Sequence, residues 1–222
     1  MLLLFDIDGT LISSGEAGTR ALNRAFEELF GIKDAFRSIK MAGKTDPQIM
    51  KEAMQLYGVP CTETNLQAMI RGYLKHLRRE INNPYRRVMP GIHEALDVLH
   101  RQYHLGLLTG NLQEGARIKL SPFGLNKYFP TGAFGSDHED RNKLLPIALE
   151  RCSSNGKRFT PHRTVVIGDT PRDVECAKIH GAYVVAVATG PYTMEELKQA
   201  GAHLVLPTLQ NLRILEEFLR SL

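Results

Sequence analysis

Leu2-Leu3-Leu4-Phe5-Asp6-Ile7-Asp8-Gly9-Thr10 is the stretch from which the rest of the chain is read. Four apolar residues in a row predict a buried strand, and it runs straight into two carboxylates, a glycine and a hydroxyl. Side chains alternate along an extended strand, so Asp6 and Asp8 share a face if the strand continues, and Gly9 lets the backbone turn sharply. Two close carboxylates repel unless a cation or a shared proton holds them, which makes the pair costly in a purely structural role. On this stretch alone, a strand end capped by solvated Asp residues and closed by an Asp-Gly turn accounts for the pattern equally well.

Outward from Thr10 the texture becomes helical. Leu22, Ala25, Phe26, Leu29 and Phe30 form one apolar stripe, and Gly31 is a plausible stop. A second stripe, Ile49, Ala53, Met54 and Tyr57, opens at Asp46-Pro47, read as an N-cap followed by proline at the first helical position. Gly58 and Pro60 end it. Leu66, Met69, Ile70, Tyr73, Leu74, Leu77 and Ile81 keep helical spacing in a third. Residues 14–87 are therefore expected to be helical, with no strand among them.

Past Met89-Pro90-Gly91 the pattern alternates. A helix carrying Ile92, Ala95, Leu96 and Leu99 precedes a strand, His104 to Leu108, that ends at Thr109-Gly110-Asn111. A helix to about Leu120, a short strand near Ala133-Phe134 and a helix from Lys143 to Cys152 follow. The strand Thr164 to Ile167 stops at Gly168-Asp169 and leads into a helix through Lys178. Ala182 to Val187 and Leu204 to Leu206 are further strands, and Leu212, Leu215, Phe218 and Leu219 mark a last helix. Alternation of this kind predicts an α/β fold, a doubly wound parallel sheet with helices on both faces.

In such sheets ligands sit outside the carboxyl ends of the strands. That rule gathers Asp6 and Asp8, Thr109 and Asn111, and Asp169 and Asp173 on one rim, which turns alone explain poorly. The expected organisation is a core of residues 1–13 and 88–222, with the helical segment 14–87 inserted over the rim as a lid.

With 222 residues, 43% hydrophobic and 23% charged, the chain can bury a full core. No apolar run approaches the roughly 20 residues needed to cross a bilayer, and Asp6 interrupts Met1-Leu2-Leu3-Leu4 too early for a signal peptide. A cytoplasmic protein without membrane partners is the expectation. Cys61, Cys152 and Cys176 stand far apart, which suggests reduced thiols rather than disulfides or a zinc site. The net charge of +4 is mild and its cations are dispersed, so an anionic small molecule is the expected partner and nucleic acid is not.

Two motifs fail on inspection. Gly43-Lys44-Thr45 looks like the end of a phosphate-binding loop, but Ser38 stands where that loop needs glycine and no strand precedes it. A calcium loop opening at Asp6 would place Leu11 where glycine is required.

The surviving pattern resembles the haloacid dehalogenase-like hydrolases, specifically the phosphatases with a helical cap such as phosphoglycolate phosphatase. The resemblance covers nearly the whole chain. Asp6-Ile7-Asp8-Gly9-Thr10 is similar to the first family motif, Leu107-Leu108-Thr109-Gly110-Asn111 to the second and Gly168-Asp169-Thr170-Pro171-Arg172-Asp173 to the fourth. The third departs: a Lys-Pro pair is usual, whereas this chain has Asp140-Arg141-Asn142-Lys143-Leu144-Leu145-Pro146. Either Arg141 or Lys143 can fill the role, and spacing to the helix face of Ile147 and Ala148 favours Arg141.

The resemblance implies Mg²⁺-dependent hydrolysis of a small phosphorylated metabolite through an aspartyl phosphate on Asp6, with Asp8 as general acid and base. It implies phosphoryl contacts from Thr109, Gly110 and Asn111, and charge compensation by Arg141 or Lys143. Metal ligation falls to Asp6, the main-chain carbonyl of Asp8 and Asp169, with Asp173 completing the shell or orienting the third-motif cation. Ala42 to Pro47 resembles a substrate-facing cap loop, in which Lys44 and Thr45 are candidate substrate contacts and Lys44 can meet the carboxylate of a phosphoglycolate-like acid. A monomer or homodimer is expected. The alternatives are a sugar phosphate mutase of the same fold, from which Thr10 leans away, and a phospho-accepting receiver-type signalling module.

Overall fold

The structure, a computed structural model, describes residues 1–153 and 158–222. The chain opens with β1 (Leu2–Phe5) and a short β2 (Ile12–Ser13), then enters the helices α1 (Ala17–Phe30), α2 (Asp46–Leu56) and α3 (Glu63–Glu80). It returns through β3 (Arg87–Val88) to an alternating series: α4 (Ile92–Gln102), β4 (His104–Thr109), α5 (Gln113–Leu120), β5 (Gly132–Phe134) and α6 (Leu144–Cys152). β6 (Thr164–Gly168), α7 (Pro171–Lys178), β7 (Tyr183–Val187), α8 (Met194–Gln199), β8 (Leu204–Leu206) and α9 (Leu212–Ser221) complete it.

Six strands form one parallel sheet in the order β5-β4-β1-β6-β7-β8. β1 is central because its side chains are apolar on both faces: Leu3 and Phe5 pack with Leu96, Leu107 and Leu215 on one side, Leu2 and Leu4 with Leu145, Ala148 and Val174 on the other. Helices thus cover both faces, as in other all-parallel sheets. In register, Phe5 pairs with Leu107 and Ile167, so β1, β4 and β6 end level with one another.

Helices α1, α2 and α3 bury a separate apolar cluster that includes Leu22, Phe26, Met54, Met69, Tyr73 and Leu77. Phe26 meets Phe36 edge to face at 5.5 Å within it. Leu112, at the entrance to α5, packs into the same cluster and ties it to the sheet below.

The structure departs from the sequence expectations in three places. β2 and β3 pair antiparallel, Ile12 with Val88 and Ser13 with Arg87, making a ribbon where the chain leaves and re-enters the alternating region. The N-cap of α2 is Thr45, whose hydroxyl accepts from Gln48 N–H, while Asp46 is already helical. Threonine and aspartate both cap well, but the Asp46 carboxylate accepts instead from the Leu112 N–H at 2.8 Å. Helix α8 was not anticipated, although Thr193 and Glu196 form a capping box at its start. Among the described residues no helix is long and apolar enough to cross a membrane.

Candidate active site

Asp6 follows β1 directly, and its N–H still bonds to the Ile167 carbonyl at 2.9 Å, so the sheet ladder holds its backbone. The chain then turns back on itself, with the N–H groups of Leu11 and Ile12 bonded to the Ile7 carbonyl at 2.9 and 3.1 Å. Gly9 sits at φ +86°, and a Cβ there would overlap the Asp169 carboxylate. Glycine is therefore required on two counts. Thr10 Oγ1 donates to Asp169 Oδ1 at 2.9 Å, fastening the first motif to the residue that follows β6.

Asp6, Asp169 and Asp173 lie buried with ligand oxygens all within 4.8 Å of one another. Arg141, in a single turn of 3₁₀ helix ahead of α6, is the buried cation among them. Its Nη2 stands 3.2 Å from Asp6 Oδ1 and also pairs with Asp173. Burial pushes Asp6 up to about 6, although Arg141 pulls the other way. Burial likewise lifts Asp169 well above the carboxylate range, with Asp173 and Asp6 adding to the effect. Burial opposes the Arg141 charge, but Asp173 and Asp6 more than offset it and its pKa rises. Three carboxylates facing one guanidinium leave this end of the site short of positive charge.

Asp8 belongs to a different cluster. Its Oδ2 accepts from Lys119 Nζ at 2.6 Å and from Asn111 Nδ2 at 2.9 Å. Lys119 also donates to Asn111 Oδ1 at 2.5 Å, and Asn111 Nδ2 reaches Thr109 Oγ1 at 2.9 Å. Behind them lie the buried Asp46 and Tyr73. Burial pushes Asp46 up to about 6 against the attraction of Lys119, and burial followed by Asp46 raises Tyr73 well above its usual value. Burial works against the Lys119 charge, yet Asp8 and Asp46 outweigh it and its pKa rises.

Asp6, Asp169 and Arg141 of the first cluster and Asp8, Asn111, Lys119, Asp46 and Tyr73 of the second line one cavity of about 280 Å³, together with Thr109, Gly110 and Lys44. The loop before α2 sits on the rim: Asp46 N–H donates to the Gly110 carbonyl at 2.7 Å, and a Cβ at Gly110 would overlap the Lys44 carbonyl.

Of the residues singled out from sequence, Asp6, Asp8, Thr109, Gly110, Asn111, Arg141, Asp169 and Lys44 line this cavity. Lys143 does not; it is exposed two residues further on in the same 3₁₀ turn, while Arg141 is buried. Thr45 is buried, but its hydroxyl donates to the Glu139 carbonyl at 2.7 Å and caps α2, so it is spent on structure. Lys44 lines the cavity with its ammonium paired to Glu52. Asp173 stands behind Asp6: its Oδ2 accepts from Thr170 N–H at 3.0 Å and Thr170 Oγ1 at 2.8 Å, and its Oδ1 pairs with Arg141. Sequence reasoning missed Lys119 and Asp46. The available signal was a lysine beside Ala116 and Leu120 on the buried side of a short helix directly after Asn111.

A six-stranded parallel sheet that presents acidic and hydroxylic strand ends to one cavity defines a doubly wound α/β protein with a candidate active site at the carboxyl ends of its strands. The family model described as haloacid dehalogenase-like hydrolase matches residues 3–187, and the chain belongs to that family. A phosphoglycolate phosphatase of Rhodospirillum rubrum is 28% identical over 208 residues, 90% of this chain and 84% of the relative. The pyrophosphatase PpaX of Halalkalibacterium halodurans is 25% identical over 221 residues, 95% of this chain and 94% of the relative. The crystal structure of CbbY from Rhodobacter sphaeroides in complex with phosphate shares the fold, with a TM-score of 0.77 at 20% identity over 96% of each chain.

Proposed function

We propose that the chain hydrolyses a small phosphorylated metabolite through an aspartyl phosphate formed on Asp6. It is a phosphoric monoester hydrolase. In the first step an Asp6 oxygen attacks phosphorus, the ester P–O bond breaks and the leaving oxygen takes a proton from Asp8. In the second, water attacks the aspartyl phosphate, Asp8 takes the water proton, and the P–O bond to Asp6 breaks to release inorganic phosphate. Thr109 and the amides of Gly110 and Asn111 hold phosphoryl oxygens, and Arg141 offsets the charge they carry.

The observation that carries this reading is the separation of Asp6 and Asp8. Both line one cavity, yet Asp6 faces Arg141 and Asp8 faces Lys119. Two carboxylates in different surroundings suit different tasks, one covalent and one proton-transferring.

The donor set fits a hard divalent cation: all oxygen, buried, and short of positive charge. Asp6, Asp169 and the main-chain carbonyl of Asp8 are the ligands we assign to Mg²⁺, with Asp173 orienting Arg141 from behind. When bound, Mg²⁺ supplies the charge neutralisation that lets a carboxylate approach a phosphate dianion.

Residues 14–87 act as the cap, and the cavity they close over argues for a small substrate rather than a phosphoprotein. A phosphoglycolate-like acid would draw Lys44 away from Glu52 to meet its carboxylate. The test is phosphate release from a panel of esters with Mg²⁺, including phosphoglycolate, sugar phosphates, inorganic pyrophosphate and a phosphopeptide. Turnover of small esters well above the phosphopeptide supports the reading, and equal turnover refutes the role given to the cap. Turnover of phosphoglycolate no better than other small esters removes the assignment of Lys44.

A further inference from the structure

We propose that Lys119 is a positioning residue that holds the Asp8 carboxylate in its proton-transferring orientation, a role that rests on the assignment of Asp8 above. Lys119 lies in the last turn of α5 and is 4% exposed. A buried ammonium is costly unless its donors are satisfied, and here two go to groups at the reacting centre: Asp8 Oδ2 at 2.6 Å and Asn111 Oδ1 at 2.5 Å. Asn111 closes the arrangement by donating to the same Asp8 oxygen at 2.9 Å. Asp8 Oδ2 is thus fixed by two donors, while among the described residues no donor is bonded to Oδ1, and Asp8 lines the cavity with its side chain 40% exposed.

The need for a cation follows from what surrounds Asp8. Once it has given up its proton in the first step, its carboxylate must stay beside an anionic phosphoryl group and near Asp6, both of which repel it. A neutral donor resists that repulsion weakly, whereas a charged hydrogen bond is roughly twice as strong. The buried Asp46 adds its attraction to that of Asp8 on the Lys119 ammonium. A purely structural reading would make Lys119 the counter-ion of Asp46 alone, and the two readings differ in what happens to chemistry when the ammonium is removed.

The experiment compares wild type, Lys119→Met and Lys119→Arg with Mg²⁺ on p-nitrophenyl phosphate and on an alkyl ester such as glycerol phosphate. Nitrophenolate leaves without a proton, so misplacing Asp8 spares the first step and slows the water attack. Lys119→Met should then release a burst approaching one nitrophenol per enzyme, followed by a steady rate at least ~10-fold below wild type. On the alkyl ester there should be no burst, and kcat should fall with little change in KM. Lys119→Arg should recover most of the loss. If Lys119→Met fails to fold, Lys119→Met with Asp46→Asn removes cation and carboxylate together, and the same burst is expected. Equal losses on both substrates without a burst, or an unchanged kcat, overturn the role of Lys119 while leaving the phosphatase reading intact. Turnover that survives in Asp6→Asn overturns both.

Discussion

The two ends of the cavity differ in charge balance, and the difference sets what each can do. Around Asp6, three buried carboxylates meet one guanidinium, an excess of negative charge that calls for a cation from solution. Around Asp8, the ammonium of Lys119 pairs with Asp8 and feels the attraction of Asp46, and Asn111 donates to the same Asp8 oxygen, so the excess of negative charge is smaller. In the function proposed above, the first end takes the metal and the phosphoryl group and the second holds a carboxylate still. Two residues of sequence separate the environments, because the turn after β1 sends Asp6 and Asp8 to different neighbours.

The comparison breaks most readily at Asp6. Asp6→Asn should lower turnover by more than about 10⁴-fold while retaining the wild-type circular dichroism spectrum, since a nucleophile has no substitute. At the other end, Asp8→Asn should cost about 10² to 10⁴-fold in kcat, with phosphoenzyme formed from p-nitrophenyl phosphate persisting. Arg141→Ala should lose about 10² to 10³-fold. Lys143→Ala, exposed and outside the cavity, should stay within about twofold in the same assay.

Smaller effects read the balance itself. Asp46 is raised from 3.8 to about 6 by burial, so the folded state holds a proton that the unfolded chain has released. That contribution is fully present below pH 3.8 and is lost as pH rises toward 6, at a cost of about 3 kcal/mol above it. Asp46→Asn, which keeps an acceptor for Leu112, should flatten the pH dependence of denaturant stability across that window and raise stability at pH 7. Measuring both proteins with saturating Mg²⁺ isolates Asp46 from the other end. Mg²⁺ at about 100-fold its Kd should stabilise wild type by about 2.7 kcal/mol, and Asp169→Asn should abolish that thermal shift.

The Asp6 end was legible in the sequence and the Asp8 end was not, for a physical reason. Asp6, Thr109 and Asp169 each terminate an apolar run, and parallel topology alone brings such strand ends together. Lys119 and Asp46 sit inside helices, where rotation about the helix axis decides which way a polar side chain faces. A lysine next to Leu120 reads as solvated until the packing of α5 beneath Tyr73 is known. The choice between Arg141 and Lys143 was likewise open, because the 3₁₀ turn that separates their directions lacks an apolar period. Strands β2 and β3, two residues each, are too short for alternation to reveal. Helices α1 to α3 were plain because each keeps a continuous apolar stripe.

The most direct test of the account is to quench turnover in acid and locate the phosphoryl group by peptide mass spectrometry. The account predicts a phosphorylated Asp6, enriched in Asp8→Asn and absent from Asp6→Asn. Full turnover with no phosphoryl group on Asp6, or with that group on another residue, would contradict it.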